Sequence, residues 1–564
     1  MSYEQDYAYV VIGGGSSGCV VAAMLAQQQR GQVLLLEAGD AAEMNPVSLS
    51  ADGFSHAFAT DALMWDRRSV AQTHCGKRSL YLGSGKGMGG SGSVNGMVYT
   101  RGDRQDYDAW PKGWQWQDIE PAFEAVEAQL KVKPRSPTDF TETCIHAAVD
   151  AGFQHKDKLI DGELCGYLGY QTMNYDGNSR RSSYVSFIKD QAFANLTVKT
   201  RCNVRQLVFN QDKRISAVIY REDGKDRMVK VLNEVVLCAG ALETPKLLML
   251  SGIGPQQELA KHNIEVVSAQ EEVGKNLHDH PNVCLFYKGR KRPDSRYPQL
   301  YGFNRVNQQS SLKDNQADTC FVFYSAPASL QQSMQRMLPA VLLPVVLYQH
   351  ESLRKFLRGC VDLAFRLPLL KRFLSHLYGV VVILGKPVSR GELRLASADP
   401  DESALISPNY YQDPQDMRTM LDGVAMAKQI ANQSALASWG NVKLAGAART
   451  ENEEKIRRWI QSATMTTFHY CGTCRMGDDE SAPVDSMLRL RGVQGVRIAD
   501  ASVIPETPVS ALNAPSMMIG YRAAQLITGD NVFERGPGLR SRQSQKQKAT
   551  PRDRNRTVAP VKTA

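Results

Sequence analysis

His469, Cys471 and Cys474 fall within "HYCGTCRMG", residues 469 to 477. An imidazole can take or give a proton near neutral pH, and two thiols at Cys-x-x-C spacing can hold a metal or cycle as a disulfide. A zinc site needs a second ligand pair at matching spacing, and the sequence offers none. A redox dithiol needs its motif at the first turn of a helix after a strand, whereas Gly472 and Thr473 read as a tight loop. The sulfurs are therefore expected to be inert, which leaves the imidazole as the group with chemistry.

A second kind of chemistry is written at the other end of the chain. The apolar run Tyr7 to Ile12 is followed by Gly13, Gly15 and Gly18 in G-x-G-x-x-G spacing, then by the small, apolar "CVVAAMLAQQQ". A second apolar run, Val33 to Leu36, ends at Glu37, nineteen residues after Gly18. The three glycines act differently. Gly13 permits the tight turn, Gly15 admits a pyrophosphate to the backbone, and Gly18 lets helix and strand pack closely. The helix N-terminus offers unpaired N–H groups to phosphates, and Glu37 can accept from ribose hydroxyls. Strand, turn, helix, strand and acid in that order predict a dinucleotide site, without deciding between NAD and FAD.

Other segments return to the same region. "LGSGKGMGGSGSVNGMVYTRG", Leu82 to Gly102, has eight glycines in twenty-one residues, a backbone able to lie against a large planar or charged ligand. In "EVVLCAGALETPKLLMLSGIG" a strand ends at Gly240 and a helix opens near Thr244 and Pro245. A further strand runs from Val496 to Asp500, and Met517, Met518, Tyr521, Ala524 and Gln525 keep helical periodicity behind Asn513. The nucleotide-binding half is therefore discontinuous in sequence.

Between roughly residues 298 and 470 the texture changes. Ser389 to Ser397 alternates like a half-buried strand, and Asp413 with Pro414 opens a helix whose Met417, Met420, Leu421 and Val424 form an apolar stripe. Met337 to Tyr348 is apolar but short and broken by Pro339 and Pro344, so it does not cross a bilayer. Leu353, Phe356, Leu357, Cys360, Val361, Ala364 and Leu367 mark one face of a helix, with Arg354, Lys355, Arg358 and Arg366 elsewhere. Such a helix packs on the second lobe, the first expectation, or rests on a membrane surface.

Composition bounds the rest. The chain has 564 residues, 43% hydrophobic and 22% charged, enough for two packed lobes. Eleven cysteines at irregular spacing are no secreted disulfide framework, and the polar, acidic start lacks the marks of an export signal, so a cytoplasmic location is expected. Of the net charge of +9, Arg535 to Ala564 contributes +8, which leaves about +1 for the remainder. This tail reads as a solvated extension, with contact to an anionic membrane as the alternative. Nucleic acid is not expected as a partner.

With those residues in view, the chain resembles the glucose-methanol-choline (GMC) oxidoreductases over about residues 5 to 530, in the bacterial alcohol and choline dehydrogenase branch. "GKGMGGSGSVNG" (Gly85 to Gly96), "RGDRQDYDAW" (Arg101 to Trp110), "GALETPKLLMLSGIG" (Gly240 to Gly254), "VGKNLHDHP" (Val273 to Pro281) and the paired "HYCGTCRMG" and "ALNAPSMM" carry the resemblance. It implies an α/β chain, α+β overall, with a Rossmann-type FAD-binding domain and a second, substrate-binding domain built on an antiparallel sheet with helices. The expected boundaries are 5–297 for the FAD-binding region, 298–480 for the substrate lobe, 481–530 for the return to the FAD domain, and 531–564 for the basic tail.

The resemblance also implies roles. Pyrophosphate and adenosine contacts fall on Gly13, Gly15, Gly18 and Glu37, an adenine contact on Val204, and flavin-side contacts on Gly90, Asn95, Gly96, Val98, Asp500 and Ala501. His469 becomes the base and Asn513 the partner that holds the alcohol over flavin N5. The loop bearing His278 and His280 is structural on this reading, and no metal is expected. Where relatives attach FAD covalently they carry a histidine at the position of Leu82, so dissociable FAD is expected. Tyr470 replaces the usual proline after the histidine, and Ser84 replaces a usual arginine.

The implied reaction is oxidation of a primary, lipophilic or aromatic alcohol to an aldehyde. Oxygen, a quinone or another carrier would take the electrons onward. Choline oxidation, a non-redox lyase or decarboxylase activity on the same scaffold, and a membrane or polyanion binder are the alternatives.

Overall fold

A computed structural model describes residues 3–348, 350–444 and 446–529. The basic segment from Arg535 to Ala564 lies outside the described residues.

Val10 and Val11 are fully buried, as a strand covered on both faces demands, and Tyr3–Ile12 is the central strand of a seven-stranded sheet. Val33–Leu36 and then Leu196–Lys199 lie parallel on one side of it, and Lys225–Leu237 lies parallel on the other. The last turn of that long strand pairs in parallel with Val496–Ile498, while its first half continues into the antiparallel strands Ile215–Glu222 and Cys202–Phe209. One sheet therefore collects strands from both ends of the chain.

The helices follow from local sequence. Gly18–Gln27 presses Cys19, Val20, Ala22 and Ala23 into the core, and a Cβ on Gly18 would stand 1.9 Å from the Gly13 carbonyl oxygen. The helix Thr244–Leu250 starts with Pro245 in its first turn, where a missing N–H costs nothing. The last described helix, Asn513–Thr528, packs back on the first, where a Cβ on Gly520 would meet the Ser17 carbonyl at 2.7 Å.

The second sheet has eight strands and is antiparallel except for its Gln154–His155 edge. Its centre is Pro281–Lys288, Leu377–Leu384, Thr319–Ser325 and Leu300–Asn304, and Met465–Thr466 pairs on the free side of Pro281–Lys288. Three of its strands, Gln154–His155, Tyr167–Tyr170 and Pro281–Lys288, precede residue 298. Pro414–Ala431 covers this sheet, and Asp413 caps it by accepting from the Gln415 N–H.

Two local readings differ from the structure. The strand expected over Ser389 to Ser397 is only Glu392–Arg394, paired with Leu405–Ser407, and the Gly391 and Leu393 amides bond on its other side to the Leu277 and Gly274 carbonyls. The helix Glu351–Arg366 forms, but of its expected apolar face only Val361 is buried; Phe356 is 67% and Leu367 is 55% exposed. Among the described residues no helix is long and apolar enough to cross a membrane.

Candidate active site

One cavity lies at the ends of the strands Tyr3–Ile12 and Val33–Leu36, and the loop that follows Met465–Thr466 of the second sheet reaches its wall. Gly13, Gly15, Glu37 and Val204 line one part of it, and Gly90, Asn95, Asp500, Ala501, His469 and Asn513 line another. Gly13 has φ +103° and a Cβ there would strike the Cys238 carbonyl, so the turn needs glycine. Gly15 faces open space, leaving a cradle that a side chain would fill, and Gly90 touches it from the second glycine loop, 2.8 Å from a built Cβ to the Gly15 Cα. Gly18, Gly96 and Val98 are not on the wall: Gly18 packs on Gly13, Gly96 faces Pro298, and Val98 pairs with Met173.

Glu37 does more than the sequence indicated. Its two oxygens accept from the backbone amides of Gly14 (2.7 Å), Gly39 (2.8 Å) and Gly87 (2.9 Å), which ties three glycine loops to one carboxylate. A carboxylate has about four lone-pair sites, so one remains for a ribose hydroxyl. Asp500 is likewise held, by Gly240 N–H, the Thr244 hydroxyl and Ser502 N–H, while burial pushes its carboxyl above the usual range. Asn95 accepts from Met97 N–H and from Arg180, a fully buried guanidinium that burial pulls down to about 9 and that no sequence signal marked.

Asn513 stands at the first residue of its helix, and Ser16 donates to its Oδ1 at 2.8 Å across 497 residues of chain. With Oδ1 occupied by a donor, the amide NH₂ is the half of the side chain left for a ligand.

His469 sits in a loop that is zipped to residues 276–282. His278 and Cys471 exchange backbone hydrogen bonds, and Met465 and Thr466 pair with Asn282 and Pro281. Between them the buried Asp279 accepts from the His469 N–H at 2.7 Å and from the hydroxyls of Thr466 and Tyr410. Burial raises the Asp279 carboxyl to about 6 even so. Phe468 adopts φ +64°, a left-handed turn fixed by its N–H to Thr466 Oγ1 at 2.7 Å.

The imidazole itself meets a second one. His280 Nδ1 and His469 Nδ1 are 2.9 Å apart, with the rings at 84°. Burial pulls His469 down to about 4 and lowers His280 well below the usual imidazole range, so both rings are neutral near pH 7. One proton lies between them, and the surroundings decide whose it is. Thr507 Oγ1 lies 3.2 Å from His280 Nε2 and 3.3 Å from the Pro508 carbonyl; when its hydroxyl is turned to that carbonyl, its oxygen is left to accept the proton of His280 Nε2. His280 Nδ1 is then the lone pair, His469 Nδ1 carries the hydrogen, and His469 Nε2 is bare. The His280 partnership is a feature that sequence reasoning missed, because that loop was read as structural alone.

The two sulfurs have a different character. Cys471 and Cys474 are free and fully buried, and burial raises both thiols far above the range in which a thiolate forms. Among the described residues no group of three or more His, Cys, Asp or Glu side chains is placed to hold a metal ion.

Ser84 and Tyr470 also make defined contacts. Arg67 Nη1 donates to Ser84 Oγ at 2.7 Å, and its other nitrogens pair with Glu243, so a guanidinium reaches this wall from a different position in the chain. Tyr470 is buried on the cavity wall, its hydroxyl 3.4 Å from Thr466 Oγ1.

Comparison with known proteins agrees with this architecture. Residues 7–282 and 387–520 match the two family models described as GMC oxidoreductase. The alcohol dehydrogenase [acceptor] of Pseudomonas putida is 30% identical over 92% of this chain and 95% of its own length. The oxygen-dependent choline dehydrogenase of Sinorhizobium fredii is 29% identical over 93% of this chain and 96% of its own. In fold, the crystal structure of pyridoxine 4-oxidase from Mesorbium loti superposes with a TM-score of 0.80 at 24% identity, covering 92% of this chain and 99% of that one.

Proposed function

The chain belongs to the GMC oxidoreductase family and is an FAD-dependent oxidoreductase, and from that premise we propose that it oxidises a primary, lipophilic or aromatic alcohol to the aldehyde, with His469 as base. Gly13, Gly15, Glu37 and Val204 would hold the adenosine and pyrophosphate, and Gly90, Asn95, Asp500 and Ala501 the flavin end. When bound, FAD supplies the acceptor for hydride.

Hydride loss from an alcohol is difficult while the oxygen keeps its proton, since the new carbonyl would be cationic. The observation that carries the proposal is the 2.9 Å contact between the Nδ1 atoms of His469 and His280, with Thr507 beyond His280; with Thr507 turned to the Pro508 carbonyl, the hydrogen between the rings belongs to His469 Nδ1 and its Nε2 is left bare. That atom takes the hydroxyl proton, and the charge arriving on the ring is met by the His280 lone pair at Nδ1. A positioned base of this kind contributes about 10²–10⁴ in rate. Asn513 offers its amide N–H to the substrate oxygen and fixes the carbon's orientation. His280 touches no substrate in this account; it is a positioning residue.

The wall favours an uncharged substrate. Its three carboxylates are already engaged: Glu37 by amides, Glu243 by Arg67, and Asp500 by Gly240, Thr244 and Ser502. Trp65, Phe468 and Tyr470 line it as well, and the Arg67 guanidinium lies over Trp65 at 4.9 Å. The Trp65 ring already lies under Arg67 at 4.9 Å and Lys86 at 4.5 Å, so it is not free to receive a quaternary ammonium. The likeness to choline dehydrogenases supports choline as the second reading.

Anaerobic titration of the holoenzyme with octanol, benzyl alcohol and choline, followed by admission of air, tests this. The first two are expected to bleach the flavin and choline to leave it yellow. Equal bleaching by choline would overturn the substrate class, and no bleaching by any alcohol would favour a non-redox reaction. Recovery of colour in air assigns oxygen as acceptor; persistence of the reduced state points to a quinone or another carrier.

A further inference from the structure

Residues 326–374 form a helical insertion between the strands Thr319–Ser325 and Leu377–Leu384, built of Ala326–Leu342, Val345–Tyr348, Glu351–Arg366 and Pro368–Leu374. Its inner side belongs to the fold. Ala340 and Tyr348 are buried beside Tyr81 and packed against Phe58 and Phe468, the neighbour of His469. Arg336, with no exposed surface, pairs with Asp61 at 2.7 Å, Arg358 pairs with the same carboxylate, and Gln331 ties the two long helices through Asp362 at 2.8 Å. These contacts fix which way the outer side faces.

The outer side is apolar. Of the seventeen exposed large hydrophobic residues in the described chain, eight fall in this insertion, less than a tenth of the length. Phe356, Leu363 and Leu367 are 67%, 65% and 55% exposed and recur at helical spacing on one stripe, and Leu369 in the next helix is 85% exposed. A folded chain rarely shows such a concentration to water without a use for it.

Charge identifies the occupant. The insertion has seven Lys and Arg residues against two acids. Arg336 and Arg358 are consumed on the inner side, whereas Arg366, Lys371 and Arg372, which flank Leu367 and Leu369, have no acidic partner among the described residues. A second copy of the chain would set this cationic face against itself. An interrupted amphipathic pair with basic residues among its apolar side chains, and among the described residues no helix able to cross a bilayer, matches a surface rich in acyl chains and anionic headgroups.

We propose that residues 351–374 dock the protein on the surface of an anionic lipid bilayer, with Phe356, Leu363, Leu367 and Leu369 entering the acyl boundary and Arg366, Lys371 and Arg372 meeting headgroups. This proposal stands independently of the reaction.

The test uses full-length holoenzyme with vesicles of phosphatidylcholine alone or containing phosphatidylserine. Co-sedimentation is expected with the anionic vesicles and to weaken with salt. The triple variant Phe356→Ser/Leu363→Ser/Leu369→Ser is expected to bind them at least about tenfold more weakly with its flavin spectrum and circular dichroism unchanged. Phe356→Trp reports insertion directly, its emission moving to the blue when anionic vesicles are added. Undiminished binding by the triple variant would assign the attraction to the basic tail and overturn the proposal. So would an unmoved Phe356→Trp emission, or a wild-type dimer that the triple variant dissociates while vesicles bind neither form.

Discussion

His280 and His469 are 189 residues apart in sequence, yet their Nδ1 atoms lie 2.9 Å from each other inside the protein. Two neutral imidazoles at that distance share one proton, and a Thr507 hydroxyl turned to the Pro508 carbonyl places it on His469. Of these residues only His469 lines the cavity, so in the proposed mechanism the tautomer of the base depends on side chains that do not.

Removing His280 tests that arrangement. His280→Ala is expected to lower kcat by roughly 10- to 100-fold with KM little changed, since the base loses its orientation and tautomer while the cavity wall stays. His280→Asn, whose Oδ1 can stand where Nδ1 accepted, should recover most of the loss. Steady-state kinetics of both variants, each with its flavin spectrum intact, would contradict the account if Asn and Ala were equally impaired.

Burial depresses His469 from the ordinary imidazole value to about 4, so the neutral base persists as pH falls through 6.5 and is lost only near the lower value. The acid limb of kcat/KM is therefore expected well below pH 6. Asp279, on the facing segment and raised to about 6, also titrates in the window, and it holds the His469 amide. An inflection near 6 should vanish in Asp279→Asn while the lower limb remains; a single limb at the free imidazole value would contradict the buried neutral pair.

Asn513 is held with Oδ1 toward Ser16, and the proposed mechanism gives its NH₂ to the substrate oxygen. Asn513→Ala is expected to cost about 10- to 100-fold in kcat/KM. Ser16→Ala, which frees the amide to turn over, should cost less. Equal kinetics for Asn513→Ala and wild type would remove this residue from the mechanism.

Much of this was legible in sequence where the signal is local. The turn at Gly13 and Gly18, the cap at Asp413 and the Thr244 helix all follow from residues within one or two turns of each other. What stayed hidden depends on long-range pairing. The His280–His469 contact needs two loops brought together by the Pro281–Lys288 and Met465–Thr466 strands, and the Arg67 guanidinium reaches Ser84 through the fold. The Glu351–Arg366 helix shows the limit of periodicity: it marks an apolar stripe without saying whether protein or solvent faces it.

Gly15 leaves an open cradle, so Gly15→Val is expected to yield a folded protein that purifies colourless, read by circular dichroism and absorbance. Leu82 offers no nucleophile to bond the flavin, so acid or heat denaturation of the wild type should release all flavin into the supernatant. Flavin retained on the denatured chain would contradict dissociable FAD.

The central claim is that the imidazole of His469 removes the alcohol proton as the C–H bond breaks. Rapid anaerobic mixing of wild type and His469→Ala with benzyl alcohol and its α,α-dideuterated form, followed by flavin absorbance, measures this directly. The account predicts that His469→Ala reduces flavin about 10²–10⁴-fold more slowly, with a primary isotope effect on reduction in the wild type. Reduction at an unaltered rate in His469→Ala would contradict it.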